Sequence, residues 1–171
     1  MTVLTAAMDL LELSFSKEIL SLSDSHYGFL VSIAGIGFVA GALVNTVFTK
    51  KLAISFLIGI GSLCISIGYI VYAFSNHFLI AAIGFFILSF SMAFANTGFY
   101  TFYQNNIPVD MMGRGGSMYE LLIAILTILT TIVFGVATHF ISIQVVVIVG
   151  AFVMLLITIE DEIIFRTVIG C

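Results

Sequence analysis

The sequence predicts an all-α, polytopic transmembrane bundle: five full spans plus a truncated first helix, in a single membrane domain over residues 1–171. Three observations carry this prediction. Five apolar blocks of about 17 to 26 residues fill nearly all of the chain from Tyr27 to Ile159, and roughly 20 apolar residues cross the hydrocarbon core of a bilayer. The chain is 61% hydrophobic and 8% charged, where a soluble domain carries roughly 25% charged residues. The breaks between blocks are short and polar, too short for a soluble domain to intervene.

Taken in order, residues 1–16 are mostly apolar but extend only about 24 Å at 1.5 Å per residue, less than the roughly 30 Å core. They carry Asp9 and Glu12, three apart and so on one helical face. Two readings stay open: the outer part of a spanning helix cut short, or an amphipathic helix lying in the interface. This start lacks a basic n-region and an uninterrupted apolar core, so no cleavable signal peptide is predicted.

The full spans are expected at about 27–49, 52–74, 78–103, 117–138 and 141–159, with 160–171 as a tail. Lys50 and Lys51 end the first span, and Ser75, Asn76 and His77 end the second. The loop 104–116 holds the sole proline, Pro108, with Gly113, Gly115 and Gly116, residues expected to interrupt a helix. Residues 139–144 form the last break. The histidines His26, His77 and His139 are all expected in loops.

Alternating the loops places Lys50, Lys51, Arg114 and Arg166 on one face and only Lys17 on the other. Cytoplasmic loops are enriched in Lys and Arg, so the first face, with the C-terminus, is expected on the cytoplasmic side of a cell membrane. A net charge of −4 without a basic cluster beyond Lys50 and Lys51 argues against nucleic-acid binding. Cys64 and Cys171 make neither a disulfide nor a metal-ligand pattern. Catalytic motifs are missing, so no enzyme, cofactor or metal site is expected.

In lipid the scarce polar residues mark the working parts. The first full span carries Gly35, Gly37 and Gly41, suited to close helix packing or to a sliding gate. The third carries a polar seam with Ser89, Asn96 and Tyr100; Asn96, Tyr100 and Gln104 recur every four residues along one face. That seam either bonds to neighbouring helices or lines a water-filled cavity that contacts a small-molecule solute. Glu120 is expected in the first turn of the fourth span, where it favours the positive end of the helix dipole.

Three stretches together resemble the C-terminal half of a major facilitator superfamily transporter of bacterial drug-efflux type. Residues 21–37, SLSDSHYGFLVSIAGIG, resemble the outer loop and glycine-rich opening of that family's eighth helix. Residues 107–117, IPVDMMGRGGS, resemble its cytoplasmic loop between helices ten and eleven, with Asp110, Gly113 and Arg114 as the loop signature. Phe134 and Gly135 resemble the end of its eleventh helix.

The resemblance implies transmembrane efflux of small amphipathic compounds by proton antiport, with Asp9 and Glu12 as the proton-coupling candidates. Such transporters pair two six-helix bundles around a midplane site. This half-length chain therefore implies a second bundle, its own copy or a separate N-terminal half, alongside membrane lipid. The alternative is a non-transporting membrane subunit or an inactive truncated gene product.

Overall fold

The computed structural model describes residues 2–48 and 54–169. They form six helices and no strand: α1 (Thr2–Glu18), α2 (Asp24–Phe48), α3 (Ile54–Ala73), α4 (Phe78–Asn106), α5 (Val109–Phe140) and α6 (Ile143–Ile169). Lys50, Lys51 and Cys171 lie outside the described residues, as do the side chains of Asp110, Arg114 and Arg166.

Five of these helices are long and apolar enough to cross a membrane: Asp24–Val47, Ile54–Ala73, Phe78–Asn106, Met111–Phe140 and Ile143–Glu160. Helix α1, 17 residues long, does not meet that criterion and joins the bundle by packing on α5 and α6.

The expected loop 104–116 is helix almost throughout. Only Ile107 and Pro108 separate α4 from α5, and Gly113, Gly115 and Gly116 fall within the first turns of α5. Pro108 caps the helix start at φ −58° and ψ 142°, a position where a missing N–H costs nothing because that donor has no intrahelical partner. A glycine inside a helix costs about 1 kcal/mol relative to alanine. An unpaired peptide group in or near hydrocarbon costs several, so the helix continues.

The same balance corrects other boundaries. The last break shrinks to Ile141 and Ser142, and α6 runs through the expected tail to Ile169. His139 lies in the last turn of α5 and His26 in the first turn of α2, while His77 is the N-cap of α4. Glu120 is not in a first turn, because its helix begins at Val109. The dipole role expected for it does not apply.

Helices α3 and α4 form an antiparallel hairpin at the centre of the bundle; α2 crosses α4, and α6 lies against α3. Small residues let the backbones meet. A Cβ added at Gly61 would lie 2.7 Å from the amide nitrogen of Ala95, and one at Gly68 would lie 2.8 Å from that of Leu88. On α2, Gly37 packs on the Phe86 carbonyl and Gly41 on that of Phe90. Gly35 faces open space, with nothing within 4 Å of where a Cβ would stand.

The core gathers Phe15, Tyr69, Tyr72, Phe85 and Met154, all buried. The ring of Tyr72 meets Phe15 and Phe85, each with centroids 4.8 Å apart. By contrast α5 buries none of its apolar window: Leu121, Ile125, Ile128, Ile132 and Val136 point away from the protein. Acyl chains or another apolar protein surface must cover such a face, since water would not.

Several polar groups within the spans are bonded close to home. Ser91, Thr97, Thr101 and Thr130 each donate to the carbonyl four residues earlier, a way of satisfying hydroxyls without leaving the helix. Between helices, Asn45 Nδ2 donates to the Ala93 carbonyl at 3.2 Å, and the Ser66 and Thr158 hydroxyls pair at 3.3 Å.

A candidate solute cavity

A cavity of about 310 Å³ opens among α1, α3, α4 and α5. Asp9 lines it from α1, Ser62 from α3, Asn96 and Tyr100 from α4, and Tyr119 and Glu120 from α5. The volume lies at the small end of ligand pockets, which span roughly 300–1,000 Å³. Two carboxyl groups face it, and among the described residues no Lys, Arg or His lines it.

The wall built by α1 is fixed from behind by two tyrosines of α3. The Tyr69 hydroxyl donates to Asp9 Oδ1 and lies 3.4 Å from the Thr5 carbonyl oxygen. The Tyr72 hydroxyl donates to the Glu12 carbonyl oxygen at 3.0 Å and pairs with Ser16 Oγ, also at 3.0 Å. Tyr69 and Tyr72 are three apart and therefore share a face of α3. Tyr72→Phe removes both of its contacts and leaves the buried Ser16 hydroxyl short of a partner. We expect a loss of about 1–2 kcal/mol in unfolding free energy, measured by chemical denaturation of the purified chain in detergent.

Toward Pro108 the cavity is roofed by rings. Phe99 stacks on Tyr119 at 5.6 Å and on Tyr103 at 6.3 Å, and meets Tyr100 edge-on at 5.8 Å. The Tyr103 hydroxyl donates to the Met112 carbonyl at 2.9 Å, tying the end of α4 to the start of α5.

The structure thus brings Asp9, Asn96 and Tyr100 to one cavity and leaves other expected residues out of it. Ser89 is buried two turns before Asn96 and does not line the space; neither does Glu12, one turn along α1 from Asp9. Gln104 is exposed beyond the rings. Gly37 and Gly41 pack α2 on α4, away from the cavity, and Gly113 lies open in α5.

Sequence reading missed Tyr69 and Tyr72, although a signal was present. Ser62, Ser66, Tyr69 and Tyr72 recur at spacings of four, three and three, a polar stripe on an otherwise apolar helix. Among the described residues no cluster of three or more His, Cys, Asp or Glu side chains could hold a metal ion.

Fold and composition define a multi-pass α-helical membrane protein. No protein-family model matches the chain, and no curated protein matches it either.

Proposed function

We propose that this chain is the solute-binding bundle of a transporter, related to the C-terminal half of the major facilitator superfamily. It works in the cell membrane with its C-terminus in the cytoplasm. It exports small amphipathic compounds in exchange for protons, together with a second six-helix bundle that is its own copy or a separate N-terminal half. The observation that carries this reading is the meeting of Asp9, Asn96 and Tyr100 in one cavity.

An ionisable group next to a polar seam can bind either a proton or a solute, and a shared site of that kind couples the two flows. With two carboxyl groups and, among the described residues, no basic one in the lining, the cavity favours neutral or cationic amphiphiles over anions. Apolar outer faces on α2 and α5 offer surface for the second bundle.

Labelling tests the cavity. A cysteine introduced as Asn96→Cys is expected to react with a membrane-impermeant maleimide, and preincubation with a cationic amphiphile should slow the reaction. Protection from the reagent in every condition would mean a packed seam and a non-transporting subunit.

A further inference from the structure

We propose that Tyr69 is a two-position positioning residue that reports the charge of Asp9 to the backbone of α1. The proposal rests on reading Asp9 as the proton-carrying group. It adds what that reading lacks, a way for protonation to act on the helix itself.

A tyrosine hydroxyl has one proton to donate. Tyr69 has two acceptors in reach, the Asp9 carboxyl and the Thr5 carbonyl at 3.4 Å. They are four residues apart on α1, one turn of the same helix. Ionised Asp9 is the stronger acceptor, because bonds to a charged group are shorter and roughly twice as strong as neutral ones. The hydroxyl therefore points to the carboxylate, and its separation from the Thr5 oxygen is long for a hydroxyl bond.

When Asp9 gains a proton, or when a cationic solute takes up its charge, that advantage goes. The hydroxyl then rotates about its Cζ–O bond and donates to the Thr5 carbonyl. No covalent bond is made or broken.

The surroundings allow this. Tyr69 is fully buried, so water does not compete for its proton. The groups that face Asp9 are Glu12 from its own helix, Tyr69 from α3, Asn96 and Tyr100 from α4, Tyr119 and Glu120 from α5, and Tyr27 from α2. None of these groups is basic, and among the described residues α6 contributes none to the cavity lining. Helix α1 has its main backbone packing on α5 and α6, so its polar ties to α3 run through the tyrosine side chains. A bond that moves by one turn along α1 changes which part of that helix α3 holds.

The Thr5 carbonyl can be observed alone, because Thr5–Ala6 is the sole Thr–Ala pair in the sequence. The full chain in lipid nanodiscs is labelled with carbonyl-¹³C threonine and ¹⁵N alanine, and the selected resonance is followed by NMR as pH is lowered. Carboxyl-¹³C aspartate reports the ionisation of Asp9 in parallel. We expect the Thr5 carbonyl to shift in one step together with Asp9. Asp9→Asn and Tyr69→Phe should each abolish the step, while Tyr72→Phe should retain it.

A step that survives Tyr69→Phe would overturn the proposal, since the carbonyl would then be sensing charge through space. So would a flat Thr5 resonance while Asp9 titrates, or an Asp9 that does not titrate at all. Failure of the transport reading is separable. It shows as loss of solute protection at Asn96→Cys, whatever Thr5 does.

Discussion

Replacing Gly68 with valine should destabilise the bundle by about 3 kcal/mol or more, the upper part of the range for overpacking a filled interior. The cause is geometric. A Cβ at this position would stand 2.8 Å from the Leu88 amide nitrogen and 2.9 Å from both its Cα and its Cβ. Two of those three atoms are backbone, so no side-chain rotation relieves the clash, and α3 must move away from α4.

The seam cannot open locally. On the facing helix, Gly84 is pressed against the Tyr72 amide, 2.9 Å from where its own Cβ would be. Displacing α3 also carries Tyr69 and Tyr72 away from α1. Gly35→Val is the matched control: it meets nothing within 4 Å and should stay within about 0.5 kcal/mol of the parent. Denaturation in mixed detergent micelles measures both. Equal stability of the two variants would refute the close approach of α3 and α4.

Asp9→Asn should lower affinity for a monovalent cationic amphiphile by about tenfold or more, with the pH dependence of binding flattened. Asparagine keeps the size of the side chain, and Tyr69 can still donate to α1 at the Thr5 carbonyl, so the α1–α3 seam survives. What disappears is the charge. Hydrogen bonds to charged groups contribute about 1.5–3 kcal/mol, and each 1.4 kcal/mol is a factor of ten in affinity.

Glu120→Gln removes the other carboxyl group of the lining but breaks no bond to α3, so binding should weaken while remaining pH-dependent. Equilibrium binding of a fluorescent cation across a pH series separates the two variants. Unchanged affinity and unchanged pH dependence in Asp9→Asn would remove Asp9 from the mechanism.

The spans were legible because lipid imposes one requirement on all of them, a long run of apolar side chains, and each apolar block became a helix. The connection after Asn106 was misread for a related reason. Proline and glycine stop helices where water can take over the freed peptide groups, and α5 instead begins directly after Pro108 and runs through three glycines. Asn96 and Tyr100 could be paired from their spacing, which one helix settles by itself.

That Asp9 joins them depends on how α1 lies against its neighbours, and no local pattern encodes it. Likewise Tyr69 reaches a partner 60 residues away. The polar stripe on α3 could have nominated that tyrosine, but not its acceptor.

The packing order of the helices also has a temporal side. Of these six helices α1 is synthesised ahead of the other five, yet its main backbone partners, α5 and α6, are the two that follow last among them. The α3–α4 hairpin, adjacent in the chain and joined by a short turn, can close during synthesis, because sequence-local contacts form early. The helix bearing Asp9 must wait with its carboxyl groups unsheltered until the C-terminal pair arrives. A nascent chain arrested before α5 would therefore hold a formed centre and an undocked first helix, a state open to quality-control proteases until translation resumes.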